Sequence, residues 1–178
     1  MPSRSKPAGN ALGARELCLL SMTGALIFAS KLVLSGIPNV NLNTLLIILS
    51  VVFFGGKAFY AVAVYVLLEG LVFGFSLWWF SYLYAWPAVT FAVWLFRGND
   101  SPLLWAAVAG LCGLCFGPLM YLLYFFVNGW QTAFAMWIAG IPYDLVHCAG
   151  NFALTLILYR PLYKVFLRFL PETGSNKT

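Results

Sequence analysis

Few side chains in this chain are both polar and set inside apolar stretches, and any chemistry would have to reside with them. Lys31, Glu69, Asp144 and His147 are the titratable groups placed so. An ionisable group in hydrocarbon costs several kcal/mol unless paired or hydrated, so each is a functional candidate. Asp144, His147 and Asn151 stand at i, i+3 and i+7, a spacing that puts all three on one helix face. Gly117, Tyr121, Tyr124 and Asn128 form a second stripe at helical spacing. Together with Trp79, Tyr82 and Trp86, these residues suit recognition by charge, hydrogen bonds and ring stacking.

Motifs for bond-making chemistry are missing. The sequence has no G-x-x-x-x-G-K-[ST] phosphate loop, no G-x-S-x-G and no H-E-x-x-H. The chain is therefore expected to bind rather than catalyse, with no cofactor and no metal; its lone histidine is a poor metal site. Cys112 and Cys115 make a C-x-x-C, but inside an apolar helix rather than at a strand-to-helix turn. They are read as buried small hydrophobes, with a membrane thiol oxidoreductase as the alternative.

Each candidate also has a plain structural reading. Lys31 can snorkel to headgroups, or pair with Glu69 merely to hold two helices together. His147 can be a hydrogen-bonded core residue, and Asp144 can cap a helix that starts after Pro142. On those readings the protein is a structural membrane subunit without a ligand.

The elements that must position these residues follow from composition. Of 178 residues, 62% are apolar and 8% charged, against about 25% charged in a soluble domain. Too little polar surface exists to coat a water-facing globule, which excludes a soluble enzyme, a disordered chain and a disulfide scaffold. At roughly 20 residues per crossing, six helices fit the length. Apolar runs lie at about 17–35, 43–54, 58–74, 82–97, 103–127 and 133–159, between a tail at 1–15 and another at 171–178. The whole of 16–170 reads as one all-α membrane domain. The first run is longer than a signal-peptide core and lacks an Ala-x-Ala site.

The formal charge of +5 sets topology rather than pointing to nucleic acid. Lys57, Arg97 and Arg160 fall between or after runs, so both termini are expected in the cytoplasm. Turns are expected at Gly74 to Ser81 and at Asn128 to Thr132, and a kink within the glycine-rich fifth run. A basic amphipathic tail from Leu162 to Leu170 should lie along the inner leaflet. The polar groups then share the outer and middle membrane, forming an outward-opening pocket. Ser21, Ala25 and Ala29 repeat every fourth residue, a ridge that permits close contact with another helix, of this chain or of a partner.

These features resemble the substrate-binding S component of energy-coupling factor (ECF) vitamin transporters. The resemblance covers nearly all of 15–170. It rests on the six-run layout, Ala25-Leu-Ile-Phe-Ala29 as an AxxxA motif, Ile37-Pro-Asn-Val, and Gly140-Ile-Pro-Tyr-Asp-Leu-Val-His-Cys-Ala-Gly-Asn-Phe152 before Arg160-Pro-Leu-Tyr163. It implies a multi-pass protein of a prokaryotic cytoplasmic membrane that captures a vitamin or related micronutrient. Its partners would be a transmembrane coupling subunit, met through the first helix, and two cytoplasmic ATPases. The loop after the first run would act as a lid, assigning Asn39 and Asn41 to it, over a pocket built mainly by the last three runs. No N-terminal Met-His start is present, so a metal-ion cargo fits poorly.

Overall fold

The computed structural model describes residues 12–36 and 41–169; Asn39 and both distal tails lie outside them. All regular structure there is helical: α1 Ala14–Val33, α2 Asn43–Phe54, a 3-10 turn Gly55–Lys57, α3 Ala58–Phe73, α4 Leu77–Leu95, α5 Pro102–Leu114, α6 Phe116–Asn128 and α7 Trp130–Phe169. Four stretches are long and apolar enough to cross a membrane: Ala14–Val33, Asn43–Phe73, Pro102–Asn128 and Trp130–Arg168.

Paired contacts fix the directions of the helices. Glu16 meets Lys57 at 2.7 Å and Lys31 meets Glu69 at 2.6 Å, so α1 and α3 run parallel. Between these pairs α1 approaches α3 at Gly24, where a Cβ would stand 2.5 Å from the Ala61 carbonyl oxygen. The stretch Asn43–Phe73 is a hairpin rather than one rod, because Gly55 at φ 57° reverses the chain after α2. Asn43, the first residue of α2, accordingly reaches Tyr65 far along α3, its Nδ2 donating to the hydroxyl at 2.9 Å.

Helix α2 is the axis of the bundle. Every residue from Asn43 to Val51 is buried. At 12 residues it is about 18 Å long, too short for the hydrocarbon layer by itself. It packs against α1, α3, α4, α5 and α7, so its ends meet protein.

Several boundaries differ from those expected. The turn after α3 is confined to Gly74–Ser76, since Ser76 caps α4 by accepting from the Trp79 N–H; α4 therefore starts at Leu77 and not at position 82. The run 103–127 is two helices broken at Cys115. Pro118 has no N–H to give the Leu114 carbonyl and sits in the first turn of α6, where that loss is tolerated. The expected turn at Asn128 to Thr132 reduces to Gly129, at φ 83°.

The sixth run does not close at Tyr159. Helix α7 continues without interruption through Pro142 and Pro161 to Phe169. Asp144 is thus interior to a helix and caps nothing, and the segment after Arg160 is no separate surface helix. Tyr163 and Phe166 hold it by packing on Phe53, with ring centroids 5.0 and 5.5 Å apart.

Candidate functional site

The polar stripe of α7 is positioned by glycines facing it from α5 and α6. A Cβ at Gly113 would lie 2.8 Å from the His147 carbonyl oxygen, and one at Gly117 would collide with the Asp144 carboxylate. Gly110 faces Cys148 and Phe152, while Gly140 of α7 faces Tyr121. These pairs form an antiparallel register in which missing side chains let the two backbones approach closely. Asp144, His147 and Asn151 are turned inward as a result, and all three are buried.

Above the start of α2 these elements enclose a cavity of about 490 Å³, a size suited to a small organic molecule. Helix α4 supplies Trp78, Tyr82 and Trp86, successive residues of one helix face. Trp86 packs edge-on against Tyr65 at 5.3 Å and lies 4.8 Å from Phe116, whose ring in turn meets His147 at 5.4 Å. Tyr121 and Tyr143 add further rings, Met120 and Gly117 complete the α6 side, and Lys31, Leu34 and Ser35 come from the end of α1.

The polar groups are unequally satisfied. Lys31 Nζ donates to Glu69 Oε2 at 2.6 Å and lies 3.4 Å from the Tyr82 hydroxyl. Asn41 Oδ1 accepts from the Asn43 backbone N–H at 3.1 Å, which leaves Asn41 Nδ2 facing His147 Nε2 at 3.4 Å. The amide therefore donates to that ring nitrogen. Asp144 Oδ2 is buried without a hydrogen-bond partner, as is the indole nitrogen of Trp86.

Of the residues singled out from the sequence, the cavity brings together Lys31, Asn41, Tyr82, Trp86, Tyr121, Asp144 and His147. Others lie elsewhere. Glu69 stands behind Lys31 as its counter-ion. Trp79 points to α3, its indole N–H donating to the Val66 carbonyl at 2.8 Å. Tyr124 packs on Tyr121 one turn beyond the cavity, and Asn128 is exposed at the end of α6. Asn151 is a structural clamp: its Nδ2 donates to Thr44 Oγ1 at 3.1 Å and to the Ala109 carbonyl at 3.3 Å.

Asn43, Tyr65, Trp78, Phe116, Met120 and Tyr143 are lining residues that the sequence reading missed. For Trp78 a signal existed, since it shares the four-residue spacing of Tyr82 and Trp86 while Trp79 does not.

On α1, Leu20, Thr23, Gly24 and Ile27 are buried, whereas Ala25 and Ala29 are exposed and Ser21 is half-buried. The alanine ridge is therefore turned away from the bundle. All four cysteines are free: Cys18 is exposed, Cys115 is exposed and Cys112 only partly covered, contrary to the burial expected of that pair, and Cys148 is partly covered. No group of three or more potential metal ligands occurs among the described residues. Comparison with protein-family models, with curated proteins and with solved structures yields no match.

Proposed function

We propose that the chain is the substrate-capture subunit of an ECF-type importer, taking up a vitamin or related non-metal micronutrient at a prokaryotic cytoplasmic membrane. The observation that carries this reading is the cavity of about 490 Å³, walled by rings and bearing Lys31, Asn41, Asp144 and His147. In a bundle with so few polar groups, gathering these around a void costs free energy that an apolar filling would avoid. A ligand that uses them accounts for the arrangement; the protein binds and hands over its cargo without chemistry upon it.

In this reading the chain crosses six times, through α1, α2, α3, α4, the broken α5–α6 and α7, with both termini cytoplasmic. The distribution of charge supports that orientation. Arg15, Lys57, Arg97, Arg160 and Lys164 lie towards the end of the bundle opposite Lys31, as cytoplasmic cations should. The cavity then opens outward.

Docking on a transmembrane coupling subunit driven by two separate ATPases is supported by the outer face of α1. Ala25 and Ala29 lie in an apolar groove of about 590 Å³ that also takes in Val165 and Phe166 of α7. Small residues there admit a close helix–helix approach.

Mass spectrometry of small molecules released from gently purified protein tests the reading. A stoichiometric ring-bearing compound is expected, and its retention should survive Ala25→Trp while cellular uptake is lost. A protein that retains nothing, with uptake unaffected by Ala25→Trp and His147→Ala, would instead be a structural subunit.

A further inference from the structure

The charges around the cavity do not balance, and the imbalance bears on what it holds. Lys31 and Glu69 neutralise each other at 2.6 Å. His147 accepts a hydrogen bond at Nε2 from an amide whose orientation is fixed by the Asn43 N–H, so the ring keeps one proton, on Nδ1, and is uncharged. The other titratable lining groups are the phenols of Tyr65, Tyr82, Tyr121 and Tyr143, none of which can carry a positive charge. Asp144 is then left over. It is 8% exposed, it has no cationic partner among the described residues, and its Oδ2 has no hydrogen-bond donor. A buried carboxylate in that state is strongly destabilised until a proton, a positive charge or a donor reaches it.

The walls favour the same kind of guest. The faces of aromatic rings carry negative potential and attract cations, most strongly at Trp. Trp78, Tyr82, Trp86 and Phe116 line the space beside Asp144.

Resting on the capture reading above, we propose that the cavity takes a flat, singly charged organic cation, a heteroaromatic ring whose positive or N–H-bearing edge pairs with Asp144. Such a ligand brings the charge of the filled site to zero. A neutral molecule would leave the carboxyl to be compensated by a proton alone, and an anion would add negative charge beside it.

The test compares three probes of similar shape on the purified full chain in nanodiscs, with quenching of tryptophan fluorescence as readout: N-methylquinolinium, neutral N-methylquinolone and anionic naphthoate. Wild type should prefer the cation. Asp144→Asn, which keeps shape and removes charge, should weaken the cation by about thirtyfold or more and leave the quinolone unchanged. The wild-type ranking needs no variant to fold. Binding without preference for the cation, or a cation affinity unmoved in a folded Asp144→Asn protein, overturns the charge assignment and leaves capture standing. If wild type binds none of the probes and also releases no small molecule on extraction, both readings fall.

Discussion

Substituting valine for Gly24 decides which face of α1 belongs to this chain and which is free for a partner. A Cβ at this position would stand 2.5 Å from the Ala61 carbonyl oxygen and 2.8 Å from Val64 Cβ, where unstrained contacts need about 3.5 Å. The offending oxygen is backbone, so relief requires α1 and α3 to separate by roughly 0.7–1 Å for the Cβ alone, and the two γ-methyls add to that. Overpacking of this kind costs about 1–3 kcal/mol, of which valine's better helix propensity returns under about 0.5 kcal/mol. At about 2–4 °C per kcal/mol for a chain of this size, the unfolding midpoint should fall by roughly 2–10 °C. Tryptophan fluorescence during heating in detergent measures it. Ala25→Trp, one residue along and exposed, serves as the control and should stay within about 0.5 kcal/mol of wild type. A wild-type midpoint for Gly24→Val, together with a lowered one for Ala25→Trp, would refute the assignment, because the alanine ridge would then be internal packing.

Two further outcomes follow from the contacts. Lys31→Met strands Glu69, whose side chain is 4% exposed, and should cost about 3 kcal/mol. Much of that should return in the double variant Lys31→Met, Glu69→Gln, whereas Lys57→Met, in a more exposed pair, should cost under about 1 kcal/mol; thermal unfolding of the three variants checks the ranking. Asn151→Ala removes two buried hydrogen bonds and should destabilise the protein by about 2 kcal/mol without discriminating among ligands, while His147→Ala, which removes a buried ring and the acceptor of the Asn41 amide, should weaken capture as well as lower the midpoint by about 1 kcal/mol or more, as paired titrations and melts would reveal.

Periodicity made the stripes of α6 and α7 legible from sequence, because helical spacing alone puts Asp144, His147 and Asn151 on one face. It could not say which of the three meets a void. That depends on depth: Asn151 falls opposite Gly113 and Thr44 and is consumed by packing, whereas Asp144 and His147 lie beyond the end of α2. The end of α7 was placed too early because Pro161 acts as a stop in water, and the capping reading of Asp144 rested on Pro142 in the same way. In a membrane helix, packing neighbours and small local adjustments of the backbone re-satisfy the groups a proline frees, and the helix runs on. Tyr65 and Asn43 were missed because a tyrosine in a valine-rich run and an asparagine at a helix start each have an ordinary explanation. Only the hydrogen bond between them gives them a common place.

The cavity follows from the shortness of α2. Its first residue sits level with Tyr65, while α3 continues to Phe73, so the neighbouring helices extend roughly two turns past the end of the central one. A bundle whose axial helix stops early has an unfilled space there, and the side chains facing it cannot all find partners across the gap. The nearest groups respond according to type. Asn41 and Asn43 satisfy each other, Tyr65 and His147; Lys31 turns to Glu69. Asp144 is a lone carboxylate on a wall of glycines and rings. Lengthening α2 upward with apolar residues would be the simplest way to remove the void. In the sequence α2 is preceded by Pro38-Asn39-Val40-Asn41, poor helix formers and frequent turn formers, so the helix start that creates the cavity is encoded directly in the chain.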